Sequence, residues 1–93
     1  MAIKVTKWDA AEHLDSDEAV AAFLAEAMEI GDQKFIVQAL NTVARARGMT
    51  QIASDAGIER QALYKSLGAQ GNPTLATLLG IIKSLGLNLS VRT

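Results

Sequence analysis

Residues 49–68 read MTQIASDAGIERQALYKSLG, and their spacing decides the fold. Gly57 divides the stretch into two short helical segments. On the first, Ile52, Ala53 and Ala56 share an apolar side; on the second, Leu63 and Leu67 are i, i+4 neighbours on one face. Ala53 lies four residues before the glycine, where a small side chain lets a second helix cross closely. Glycine then permits the sharp change of direction, and Ile58, Leu63 and Leu67 anchor the second helix. The spacing predicts a helix-turn-helix, with Gly68 as its closing break.

The outer side of the second helix carries the chemistry. Arg60 and Tyr64 are i, i+4 neighbours, as are Gln61 and Lys65, so all four project together. Arginine or lysine can donate to guanine O6 and N7, glutamine can pair with adenine N6 and N7, and tyrosine can reach a phosphate or a thymine methyl group. Thr50 and Gln51, near the start of the preceding helix, suit phosphates because free backbone N–H groups lie there. Asn72 and Thr74, at the next helix start, suit the same task. These eight residues are the candidate DNA-binding set. The plainer reading is an exposed polar face with no partner. Glu59 fits poorly, since it can accept from cytosine N4, help cap the helix or simply repel phosphate.

Around this hairpin the chain reads as mainly α, with five helices and short terminal β-strands. Asp15 and Glu18 have capping-box spacing, which predicts a first helix from Asp15 with Leu14 as a staple. Val20, Phe23, Leu24, Ala27 and Met28 form its stripe, and Gly31 ends it. Asp32 is the predicted cap of a second helix with Phe35, Ile36, Ala39, Leu40, Val43 and Ala44 buried. Arg45 and Arg47 complement its dipole, and Gly48 stops it. Asn72 is the predicted cap of the last helix, with Pro73 at its first position and Leu75, Leu78, Leu79, Ile82 and Leu85 on its core face. Gly86 closes that helix, while Gly80 inside it costs about 1 kcal/mol relative to alanine. IKVT at 3–6 and LNLSVR at 87–92 alternate like half-buried strands, pairing with each other or across a dimer axis. The expected organisation is one domain over 1–93: an extended segment at 1–14, a helical helix-turn-helix domain at 15–86 and a short strand at 87–93.

Composition narrows the function. About half of the 93 residues are apolar (49%), enough for one core in a small domain that association would help. The absence of cysteine excludes disulfides and thiolate metal sites. No secretory signal opens the chain and no apolar run reaches the roughly 20 residues of a membrane span, so a cytoplasmic protein without a membrane partner is expected. The Asn88–Ser90 sequon is then a chance match. Net charge is −1 overall, but residues 1–32 sum to −6 and residues 33–93 to +5. Such asymmetry suits one cationic and one anionic partner, or an ordinary solvated surface.

Catalysis is not expected. His13 is the single histidine, no phosphate-binding G-x-x-x-x-G-K loop or H-E-x-x-H zinc motif occurs, and the acids at 15, 17 and 18 are those that a helix start favours. No catalytic, metal or cofactor residue is assigned. Trp8 reads as covering a core edge, and Met28 with Phe35 as core.

From Met49 to about Leu87 the pattern TQIASDAGIERQALYKSLG followed by GNPTLATLLGIIKSLGL resembles the Cro/C1 type of helix-turn-helix, the lambda-repressor-like family. Nearly the whole chain resembles addiction-module antidote proteins, the HigA-like antitoxins, through AFLAEAMEIGD, ARARGMTQIA, GIERQALYKSL and GNPTLATLLGIIKSLGL. The resemblance implies a dimeric antitoxin that binds double-stranded operator DNA, represses its own operon and neutralises a small basic toxin of the RelE/ParE superfamily. The acidic N-terminal third would then face that toxin. Glu59 departs from the family, which usually has serine there. The competing expectation is a protein-interaction module, or a plain transcriptional regulator, on the same scaffold without a toxin partner.

Overall fold

The computed structural model describes residues 13–93 as five helices: α1 Asp17–Ile30, α2 Gln33–Arg47, α3 Met49–Ala56, α4 Arg60–Ser66 and α5 Leu75–Ser84. The predicted strand at 3–6 and Trp8 lie outside the described residues. Helix α3 is the hub, packing against α2, α4 and α5, while α1 lies along α2. One core runs through all five helices, from Val20, Leu24 and Ala27 through Leu40, Val43 and Ile52 to Leu63, Ile81 and Leu85.

The caps set where each helix starts, and two differ from expectation. Ser16, not Asp15, caps α1: its Oγ accepts from the Ala19 N–H at 3.1 Å, leaving Asp17 and Glu18 in the first turn where the dipole favours them. Thr74, not Asn72, caps α5, its Oγ1 accepting from the Thr77 N–H at 3.1 Å. Pro73 therefore precedes the helix. Asp32 caps α2 as expected, accepting from Phe35 N–H at 3.0 Å.

The later start of α5 goes with a different buried stripe. Leu78, Ile81, Ile82 and Leu85 face the core at i, i+3, i+4 and i+7, whereas Leu75 is 67% exposed and Leu79 sits at the surface. In α2, Val37 is buried and Phe35 is 40% exposed, so the stripe is displaced from the one predicted. Thr42 is buried as well, its hydroxyl satisfied by donating to the Gln38 carbonyl at 3.0 Å.

No strand occurs among the described residues. The Leu87 N–H closes onto the Ile82 carbonyl at 3.1 Å, and residues 88–93 continue without regular structure. Alternation alone does not make a strand, because the ladder needs a second backbone.

Candidate nucleic-acid interface

The hairpin is built as its spacing requires. Gly57 takes a left-handed conformation (φ 69°) that side chains rarely adopt, and the Ile58 N–H donates to the Ala53 carbonyl at 2.9 Å across the turn. Ile52, Ala53, Leu63 and Leu67 are all buried, with Ile58 packed against the same core. Glu59 precedes α4 in an extended conformation but makes no side-chain cap bond. Its backbone carbonyl still accepts from the Leu63 N–H at 2.9 Å.

With Leu63 and Leu67 turned inward, Arg60, Gln61, Tyr64 and Lys65 are all exposed. Arg60 lies along the helix: its guanidinium carbon is 5.3 Å from the Tyr64 ring centroid, and Nη2 donates to the Tyr64 hydroxyl at 3.4 Å. That contact extends the arginine over the aromatic face and limits its rotamers before any ligand arrives.

The four flanking candidates are exposed but differently engaged. Thr50 lies in the first turn of α3. Gln51 donates through Nε2 to Asp55 at 2.8 Å, so its amide must exchange partners to meet a phosphate. Asn72 accepts from Gln33 Nε2 at 3.1 Å, which ties the loop before α5 to the start of α2. Thr74 uses its hydroxyl as the α5 cap and donates it to Thr77 at 3.1 Å. Among the eight candidates, Arg60 and Tyr64 are the pair that the structure joins directly.

Two positioning features had no sequence signal. Asn41 on α2 donates to the Leu67 carbonyl at 3.1 Å, satisfying a backbone group at the end of α4, while its own Oδ1 accepts from Arg45 Nε at 3.1 Å. The end of α4 is thereby fixed to α2. At Gly71 an added Cβ would overlap the Ser66 carbonyl, so only glycine lets the loop after α4 pass this close. Arg47 turns elsewhere and pairs with Asp17 at 2.9 Å, joining the end of α2 to the start of α1. Among the described residues, no group of three or more His, Cys, Asp or Glu is placed to hold a metal ion. No described helix is long and apolar enough to cross a membrane.

A family model described as "Probable addiction module antidote protein" matches residues 4–93. An uncharacterised protein of Haemophilus influenzae is 44% identical over 92 residues, covering 99% of this chain and 95% of that protein. No solved structure matches. A match over nearly every residue, hairpin included, settles the membership: the chain belongs to this addiction module antidote family.

Proposed function

We propose that this antidote is a Cro/C1-type, HigA-like antitoxin that reads operator DNA with α4, as a dimer, and represses the operon encoding it. The observation that carries the reading is the division of α4: Leu63 and Leu67 are buried, and Arg60, Gln61, Tyr64 and Lys65 are all displayed to solvent. Arg60, Gln61 and Lys65 take base edges, with Tyr64 shared between base and backbone. Thr50, Gln51, Asn72 and Thr74 take phosphates, Thr74 most simply through backbone N–H groups because its hydroxyl is occupied. One recognition helix covers only a few base pairs. Two of them, about 34 Å apart across a two-fold axis, read a palindromic site.

An antidote implies a toxin partner. On this reading the toxin is a small basic protein of the RelE/ParE superfamily, met in the cytoplasm where the operator also lies. The exposed acids Glu18, Glu26 and Glu29 on α1, a helix without a basic residue, are the surface offered to it. The protein acts by binding and has no catalytic role.

One observation favours a second reading, an interaction module without DNA binding. Asp55 and Glu59 are exposed beside the reading helix, and Asp55 already holds the Gln51 amide. Fluorescence anisotropy with the duplex upstream of its own coding region, over a salt series, separates the two. The operator reading expects tight, salt-steep binding that Arg60→Ala weakens by about 1–3 kcal/mol. Binding no tighter than to random duplex, and indifferent to Arg60→Ala, rejects it.

A further inference from the structure

The C-terminal tail carries a pattern that the described residues leave unused. Among the described residues, 88–93 make no backbone hydrogen bond after Leu87 closes onto Ile82. Their side chains nevertheless alternate, and the apolar ones are not covered: Leu89 is 45% exposed and Val91 97%. The tail runs beside α1, and the open groove between them is lined by Leu24 and Met28 of α1 and Ile82 of α5. An apolar-alternating segment whose N–H and C=O groups meet no backbone partner among the described residues is a template for another strand.

We propose that residues 87–91 are the interface with a second copy of this chain, pairing antiparallel about a two-fold axis at Leu89. The argument is self-complementarity, which a two-fold interface demands. Centred on Leu89, the register sets Leu89 opposite its own copy and Leu87 opposite Val91, all on one face of the ribbon. Asn88 then meets Ser90 twice on the other face, a neutral pair able to hydrogen bond. No charges oppose each other, because Arg92, the single charged residue of the 87–93 segment, lies beyond the paired stretch. A centre between residues sets Leu and Val against Asn and Ser, and a centre at Asn88 or Ser90 shortens the apolar match. The six apolar side chains of the ribbon then close over the α1 grooves of both copies. At the groove itself one acid, Glu29, and one base, Arg92, are present, so apposing two copies adds no uncompensated like charge.

The inference rests on the dimeric part of the operator reading and deepens it, but it requires no DNA. Sedimentation equilibrium on the full chain, with a protomer mass of 9.9 kDa, is expected to give twice that mass. Leu89→Lys, at a half-exposed position that folding does not need, is expected to raise the dimer dissociation constant about thirtyfold or more with the helical circular dichroism unchanged. Leu75→Lys, on the exposed side of α5, is expected to leave the dimer intact. The register has its own readout, because the chain has no cysteine. Residues directly opposite in an antiparallel pair have Cα atoms about 4.5–5.5 Å apart, within disulfide range. Leu89→Cys should oxidise to a covalent dimer, and Ser90→Cys should cross-link to Asn88→Cys but not to itself.

A monomer up to several hundred micromolar overturns the proposal, and so does a dimer that Leu89→Lys leaves untouched. Loss of the dimer in Leu75→Lys alone moves the interface to α5. If deleting residues 2–7 turns a monomer into a dimer, those residues, with Ile3 and Val5, are the tail's partner instead. Ser90→Cys linking to itself as readily as Leu89→Cys rejects the register. Failure of DNA binding with the tail dimer intact rejects the operator reading alone.

Discussion

The α3–α4 hairpin and the C-terminal tail both carry alternating or periodic apolar residues, yet they end in opposite conditions. In the hairpin, Ile52, Ala53, Leu63 and Leu67 lie in the core, and the turn closes through the Ile58–Ala53 hydrogen bond. In the tail, Leu87 reaches the core edge, while Leu89 and Val91 stay out of it. A helix satisfies its backbone within its own segment and needs only a surface for its stripe. A strand needs a partner for every N–H and C=O as well. The hairpin thus finds all of its packing among the described residues, whereas none of them supplies the tail with a second strand.

The strongest way to break that contrast is to truncate one leucine in each region. Leu63→Ala removes a side chain with no solvent exposure at the centre of the core, and a loss of about 2–5 kcal/mol is expected. Leu89→Ala should cost the isolated protomer under about 0.5 kcal/mol, since half of that side chain is already wet. Urea denaturation at a protein concentration below that needed for association gives both values. Similar losses at the two sites would mean that the tail is part of the protomer core.

Gly71→Ala sharpens the hairpin side. A methyl group there overlaps the Ser66 carbonyl, a backbone atom that cannot swing aside, so about 1–3 kcal/mol of destabilisation is expected from thermal or urea unfolding. This constraint also marks where sequence reading stops. The five helices, the Gly57 turn, the Asp32 cap and the buried leucines of the hairpin were legible because each is a local period or a capping signal. The need at Gly71 comes from a close passage of two backbones after α4. The Asn41–Leu67 bond comes from the crossing of α2 and α4. Neither leaves a periodic trace. The α5 cap was misread for a related reason: Asn72 and Thr74 are both good cap types two residues apart, and Asn72 is held by Gln33 across the fold. The core face was displaced as well, with Leu75 and Leu79 outward and Ile81 inward. Among the candidate DNA contacts, the exposure of all eight was legible, but the engagement of Gln51, Asn72 and Thr74 with neighbouring side chains was not.

Gly80 gives the smallest effect and the opposite sign. It lies where α5 crosses α3, the first helix of the hairpin, and a glycine at a helix crossing invites the reading that only it permits the approach. The geometry argues otherwise. A Cβ at Gly80 would stand 3.4 Å from the Ala56 Cβ and 3.5 Å from its carbonyl oxygen, which is ordinary contact. Its backbone is helical, so alanine adopts it without strain and relieves the glycine penalty, worth up to about 1 kcal/mol. Gly80→Ala is therefore expected to raise the urea or thermal unfolding midpoint slightly. A destabilised variant would instead show that α3 and α5 tolerate no adjustment at Ala56. The support beneath α4 would then be as tightly set as the turn at Gly57.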